Sequence, residues 1–434
     1  MTEPCILVLG AGPAGAATAM GLQRLGYRVQ VVSDWRRFDA VEGVSQRVLE
    51  GLRHAGLGKA LEQAAMPSRR RVEWNGQRQW LNQECLLDRS CFDQALREDL
   101  RNAGVEVIEA RVADLSSRTD GHQVQLHDGR LLTAGFLVEA RGRQAPLTAS
   151  RLRGPESVSL LNLWREQPGE PLSAVESLAD GWAWMARLAD GRCYWQISLD
   201  SSAGALPGKA QLAEYCAQRR RQSALVAEMF GAAATQAVEV YARSSTAILA
   251  GRCAGDNWLR VGDAAMAVDP LSGNGIFQSL SSALQAPAVI NTLLRRPRHK
   301  ALALRFHQER IEQLFLRFAR IGRDFYAQER GKVGQAFWDK RQSWPDAQPL
   351  HLAADYRQLR VERRPVVSDG FIDEAEVVVS ADQPLGIWHL QGVPLAPVVS
   401  GLRSGQGLEQ LLGARPAAEQ AMLRNWLAAQ GYQG

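Results

Sequence analysis

The six residues Gly10-Ala11-Gly12-Pro13-Ala14-Gly15 constrain this chain more than any other stretch. They follow Cys5-Ile6-Leu7-Val8-Leu9, a continuous apolar run that reads as a buried parallel strand. They precede Ala16 to Leu25, which is rich in helix formers. Gly26 stops that helix, and Val29-Gln30-Val31-Val32 reads as the next strand. A strand, turn, helix and strand within about thirty residues is the setting in which G-x-G-x-x-G signifies a dinucleotide site. Gly10 permits the turn, Gly12 lets the backbone approach a pyrophosphate, and Gly15 lets helix and strand pack closely. Pro13 and Ala14 open a helix whose free N–H groups face the phosphates. The second strand ends in Ser33-Asp34, where the fingerprint usually has one acidic residue for a ribose hydroxyl. Two readings stand: one of the pair binds the ribose, or Asp34 is a solvated turn residue.

A length of 434 residues suggests two or three domains. With 46% hydrophobic and 22% charged residues, the composition is that of an ordinary globular protein. No window approaches eighteen apolar residues, so no membrane span is expected. The chain enters its first strand at once, which leaves no room for a signal peptide and predicts a cytoplasmic protein. The six cysteines (5, 85, 91, 193, 216 and 253) form no C-x-x-C pair, and the seven histidines show no ligand spacing. Neither a metal site nor a disulfide framework is expected. The net charge of +5 is spread along the chain, which argues against a nucleic-acid partner. Arg69-Arg70-Arg71 and Arg219-Arg220-Arg221 read as solvated faces, or as binding sites for an acidic protein or an anion.

Residues 42–57 read as a loop entering a short helix that ends near Gly56, and residues 72–88 as strands. Ser90 is placed to cap a helix with Phe92, Leu96 and Leu100 on its apolar face. Val105–Ile108, Gln123–Leu126 and Phe136–Ala140 read as strands, with a hairpin turn at His127–Arg130. Val158–Trp164, Gly181–Leu188 and Arg192–Leu199 suggest an antiparallel sheet turning at Asp190-Gly191. Residues 209–232 read as helical, a long helix runs from after Gly275 to about Leu294, and 299–340 is mostly helix. Pro345 to Pro365 forms a boundary before a tail of strands and short helices.

Three distant stretches join the N-terminal glycines. Asp88-Arg89 stands before Phe92-Asp93, and Leu137-Val138-Glu139-Ala140 runs into Arg141-Gly142-Arg143. Arg260-Val261-Gly262-Asp263-Ala264-Ala265 is followed by Val268-Asp269-Pro270-Leu271-Ser272-Gly273-Asn274-Gly275-Ile276. Together these residues resemble the FAD-binding aromatic hydroxylases of the para-hydroxybenzoate hydroxylase class, a family that also contains the flavin-dependent halogenases. The resemblance runs over residues 4–295. It implies an α/β fold: a Rossmann-like FAD-binding domain (1–150 and 250–295) with an inserted antiparallel-sheet substrate domain (72–88 and 151–249). A helical connection (296–345) and a small C-terminal α/β, winged-helix-like module (346–434) complete the expected layout.

The resemblance also implies roles. Asp263 faces the ribityl chain, Pro270 rigidifies the approach to the flavin, and Gly273, Asn274, Gly275 and Ile276 open a helix towards its pyrimidine edge. Arg89 contacts the FAD, Ser45, Gln46 and Arg47 form a loop beside it, and Val112 meets the adenine through its backbone. The plain alternatives are an ion pair for Arg89 and a helix cap for Asp263. FAD is expected to be non-covalent and to be reduced by NAD(P)H or by a separate reductase, with O2 as co-substrate. Halogenases of the family use a lysine after the 42–47 loop. Lys59 is the only lysine before residue 209, and Gly181-Trp182-Ala183-Trp184-Met185-Ala186-Arg187 keeps only part of the halogenase W-x-W-x-I-P pattern. Trp182 and Trp184 share one strand face and either line the pocket or pack the domain. The layout is similar to the narrower group of flavoprotein monooxygenases that mature protein-derived quinones, such as the tryptophylquinone of quinohemoprotein amine dehydrogenase. This implies a tryptophan-containing protein or peptide as substrate. A small-molecule hydroxylase or halogenase, and a non-catalytic flavoprotein binding module, are the alternatives.

Overall fold

The computed structural model describes residues 5–36, 38–118, 121–202, 206–231, 234 and 236–433. The chain divides into two compact units, 1–287 with 311–347, and 288–310 with 348–434. In the first unit a six-stranded sheet has Ile6–Leu9 near its centre, flanked in parallel register by Phe136–Glu139 and Val29–Ser33. Glu106–Glu109 extends one side and Trp258–Arg260 the other, again in parallel. All four residues of Ile6–Leu9 are buried, as a strand covered on both faces requires. The helix Pro13–Arg24 buries Ala16, Ala19 and Leu22, and at Gly21 a Cβ would come within 2.4 Å of Pro287 Cγ.

A second sheet of eight strands stands beside it. Its order is Val240–Ser244, Ser157–Arg165, Arg192–Asp200, Gly181–Arg187, Leu172–Leu178, Ser68–Trp74, Gln77–Asp88 and Val41–Val44. The turn at Asp190-Gly191 is present, with Gly191 at φ +84°. Three strands of this sheet, Leu172–Leu178, Val240–Ser244 and Val41–Val44, were not expected from the sequence. Leu172–Leu178 runs parallel to Ser68–Trp74 and so joins the early hairpin to the later strands. One face of the sheet packs Ala174, Met185 and Trp195 beneath two helices, Leu212–Arg221 and Ala224–Phe230. The helical stretch expected at 209–232 is two helices, because Ser223 Oγ accepts the Val226 N–H at 3.0 Å and starts the second. Residue 232 lies outside the described residues.

The helix Arg89–Asn102 is capped by Asp88, whose carboxylate accepts the Ser90 N–H at 2.9 Å, and not by Ser90. Residues 42–44 belong to the strand Val41–Val44, paired to Gln77–Asp88, where a loop was expected. The run after Gly275 is two helices, Gly275–Ala283 and Ala286–Arg295, because Pro287 is tolerated only in a first turn.

The second unit has its own core of Leu359, Val378, Leu395, Val399, Leu412 and Leu423. It contains the hairpin Arg360–Ser368 with Phe371–Val379, a short hairpin (His389–Leu390 with Val393–Pro394) and the helices Ala396–Arg403, Leu408–Leu412 and Ala417–Ala429. The segment 288–310 is tied into this unit: Thr292 Oγ1 accepts the Ile372 N–H, and Asn291 Nδ2 donates to Gly370 O, both at 2.7 Å. No helix among the described residues is long and apolar enough to cross a membrane.

Glu176 is buried between the sheet and the helix Ala224–Phe230, where it accepts the Ser223 hydroxyl at 2.7 Å. Burial lifts its carboxyl from 4.5 to about 7; the Ser223 bond opposes this and Glu73 adds to it. The folded chain therefore holds this proton after the unfolded chain has released it. Stability from this site is fully present below about pH 4.5 and is lost as pH rises towards 7. Glu176→Gln should stabilise the protein at pH 8 by about 2–3 kcal/mol and flatten its melting temperature between pH 5 and 7. Thermal melts across that range check this; an unchanged pH slope contradicts it.

Candidate active site

At the nucleotide end the three glycines divide their work. Gly10 has φ +108°, and a Cβ there would lie 2.4 Å from Ala140 O. A Cβ on Gly15 would lie 1.9 Å from Gly10 O, so only hydrogen fits between helix and turn. At Gly12 a Cβ would meet nothing within 4 Å. Gly12 is the N-cap of the helix Pro13–Arg24 and supplies no side chain to its first N–H groups. The closed positions thus frame an open one at a helix N-terminus, which fits a pyrophosphate.

Ser33 closes the strand Val29–Ser33, and its hydroxyl accepts Arg97 Nη2 at 3.2 Å. The same nitrogen donates to Asp34 O at 2.8 Å, and the guanidinium stacks 3.7 Å from the Trp35 ring. Arg97 and Trp35 were not singled out by the sequence reading. The available signal was helical spacing: Arg89, Asp93 and Arg97 fall four apart on one helix face. Val112 begins the strand Val112–Arg118 and packs against the core containing Val32 and Ile108.

Asp263 follows the strand Trp258–Arg260 on a short 3-10 turn, Gly262–Ala264. Gly262 lies at φ +59°, where a Cβ would stand 2.7 Å from Ala14 Cβ, so this turn abuts the glycine loop. Arg143 Nε lies 3.6 Å from Asp263 Oδ2, and Arg143 also donates to Thr246 O and Val268 O. Burial pushes the Asp263 carboxyl up, and Arg143 opposes that shift. Asp269 accepts the Leu271 N–H at 2.9 Å and so holds the turn Pro270–Ser272. Gly273, at φ +63°, redirects the chain into the helix Gly275–Ala283, in which Ile276 is buried and Asn274 is the N-cap. Asn274 gives its side chain to Ser272 O and leaves the helix N-terminus uncapped. Neither Gly273 nor Gly275 has any atom within 4 Å of a Cβ position, so this N-terminus is open as well.

Arg89 is buried, with its guanidinium between Glu42 and Asp93; Asp93 Oδ1 lies 2.8 Å from Nη2. The ion-pair alternative thus describes its contacts within the chain. Arg36 adds a 3.2 Å bridge to Asp93. Burial would raise the Glu42 carboxyl, but Arg89, Arg36 and Arg243 hold it below the usual carboxylate range. Asp263 feels Glu42, Arg89 and Arg243 as well, so these groups share one region. Ser45, Gln46 and Arg47 are exposed at the start of the helix Gln46–Ala55, with Ser45 as its N-cap. Among the described residues no group of three or more His, Cys, Asp or Glu is placed to hold a metal ion.

Trp182 is buried in an aromatic cluster with Trp74, Tyr326, Phe337 and Trp338, and Leu271 of the Asp269 loop packs against it. Trp184 is half-buried and bridges this cluster to one that contains Tyr194 and Leu161. Lys59 sits on a short helix, Gly58–Glu62, whose first N–H groups are taken by the Asp99 carboxylate at 3.0 Å. Its amine is exposed and lies 3.8 Å from Glu98.

The open and closed glycines give contrasting expectations. Gly12→Val should leave the melting temperature of the apoprotein unchanged and weaken FAD binding at least about tenfold, by filling the pyrophosphate space. Gly15→Ala should lose the folded state, because its methyl collides with Gly10 O. Fluorescence titration with FAD and thermal melts separate the two; equal effects would contradict the division of roles.

A family model described as FAD binding domain matches residues 3–314. The solved structure of the "peptidyl tryptophan dihydroxylase QhpG essential for tryptophylquinone cofactor biogenesis" is similar at 69% identity and TM-score 0.91, with 100% of both chains covered. The flavin-dependent halogenase CmlS shares the fold, with TM-score 0.78 at 16% identity over 99% of this chain and 96% of that one. Tryptophan 2-halogenase of Chondromyces crocatus is 25% identical over 78% of this chain and 70% of its own. With the glycine cradle, the Gly262-Asp263 turn and the Asp269–Gly275 loop in place, the chain belongs to the FAD-binding-domain family of FAD-dependent monooxygenases.

Proposed function

We propose that this protein hydroxylates a tryptophan indole within a partner polypeptide, during biogenesis of a tryptophylquinone cofactor. One observation carries the reading. The 69% identity to the peptidyl tryptophan dihydroxylase spans the whole of both chains, including residues 348–434, which lie beyond the FAD-domain match. When bound and reduced, FAD supplies the activation of O2 and the transfer of oxygen to the ring.

The chain's own residues hold and shape that site. The Gly12 N-terminus takes the pyrophosphate, Ser33 or Asp34 takes the ribose, and Val112 meets the adenine. Arg89 and the 45–47 loop flank the cofactor. The uncapped N-terminus at Asn274, Gly275 and Ile276 carries partial positive charge and favours a reduced, anionic ring beside it. Asp263, on the turn beside the glycine loop and facing Arg143, is placed to accept a hydrogen bond from a ribityl hydroxyl. Trp182 and Trp184 belong to an apolar wall that keeps water from the reacting ring. The sequence carries one dinucleotide fingerprint, which FAD would use, so the electrons come from transiently bound NAD(P)H or from a separate reductase.

The halogenase relatives give a second reading its basis, and the placement of Lys59 counts against it. Its amine is half-exposed and lies 3.8 Å from Glu98, on a helix anchored to Asp99. Co-expression with a small tryptophan-containing partner should add about 16 or 32 mass units to that partner, read by intact mass spectrometry. Lys59→Ala should leave the shift in place. A bromide-dependent product that disappears in Lys59→Ala, with no oxygen added, would instead establish halogenation.

A further inference from the structure

Tyr326 lies in the helix Lys300–Ala327, beyond the stretch matched by the FAD-domain family, yet it touches that family's loop. Its side chain is 2% exposed. Its ring is packed edge-on against Phe337 and Trp338, with centroids 5.9 and 5.7 Å away. Its hydroxyl meets two groups. Trp182 Nε1 lies at 3.1 Å, and the two Asp269 carboxylate oxygens lie at 3.0 and 3.1 Å.

Chemistry fixes the direction of this chain when Asp269 is ionised. An indole N–H only donates and a carboxylate only accepts. The Tyr326 oxygen therefore accepts from Trp182 and gives its proton to Asp269. Asp269 holds the Leu271 N–H at the same time, and through it the turn that ends at Gly273. One buried hydroxyl thus ties the strand Gly181–Arg187 to the loop that opens the helix Gly275–Ala283.

We propose that Tyr326 is a positioning residue: it fixes the flavin-facing loop 269–275 through Asp269 and sets that loop against the tryptophan strand of the second sheet. The inference rests on FAD binding at this loop and not on the identity of the substrate. It assigns the long helix a task at the cofactor that the glycine motifs alone leave unfilled.

Tyr326→Phe keeps the ring and its packing and removes only the hydroxyl. FAD titration should show affinity reduced about tenfold, as expected for losing a bond to a charged acceptor. The visible spectrum of bound flavin should shift, while the melting temperature of the apoprotein changes little. Trp182→Phe should weaken FAD binding by about threefold, because it removes a single neutral hydrogen bond. Since Trp182 acts through Tyr326, the double variant should match Tyr326→Phe alone. FAD affinity within twofold of wild type and an unchanged spectrum for Tyr326→Phe would overturn the proposal, as would additive losses in the double variant. Should Tyr326→Phe melt before titration, Trp182→Phe decides: the threefold loss supports the proposal and none refutes it. These readings need no substrate, so a failure here leaves the mass-shift test of the hydroxylation reading independent.

Discussion

At Gly15 only a hydrogen atom fits between the helix and the backbone of Gly10. That contact presses the N-terminus of Pro13–Arg24 against the carboxyl end of the central strand Ile6–Leu9. Unpaired N–H groups and the helix dipole then point at the space in front of Gly12, where no atom stands within 4 Å of a Cβ position. The placement of other segments follows from this approach. Gly262 reaches Ala14 only because it too lacks a side chain, and so brings Asp263 to the glycine loop. Two helix N-termini with no side-chain cap, at Gly12 and at Asn274, belong to the same unit. Each leaves backbone donors that a phosphate or an electron-rich ring can satisfy.

The charged groups around this space are arranged by mutual compensation. Arg89 would be costly to bury alone, and Glu42 and Asp93 offset that cost. Glu42 stays ionised because three guanidiniums face it, whereas Asp263 is pushed towards its neutral form by burial despite Arg143. Two carboxyl groups in one region therefore differ in protonation tendency through their surroundings alone. Glu42 already lies on the second sheet, and Arg192 of its strand Arg192–Asp200 adds a tie by pairing with Asp88, the cap of the Arg89 helix, at 2.6 Å. The arginine segment and the tryptophan-bearing sheet are thus held in one register.

Much of this was legible in the residues. The glycine loop, the Gly262-Asp263 turn and the Asp269–Gly275 run are short motifs whose backbone demands are written in glycine and proline. The missing strand Leu172–Leu178 was obscured because Ser173 and Glu176 are polar yet buried, which breaks the apolar run expected of a central strand. The break after Ala283 was written in Pro287, which fits a first turn but not a helix interior. Arg97 and Tyr326 carry no motif. Each gains its meaning from a partner far along the chain, Ser33 in one case and Asp269 in the other, and only the folded chain supplies that pairing.

The central claim is that four distant segments form one cradle for FAD. Hydrogen–deuterium exchange of the whole protein with and without FAD tests it most directly. The account predicts that FAD slows exchange together in residues 10–15, 88–93, 137–143 and 260–276, and leaves the helices Leu212–Arg221 and Ala417–Ala429 unchanged. Protection confined to one segment, or strongest in residues 348–434, would contradict it.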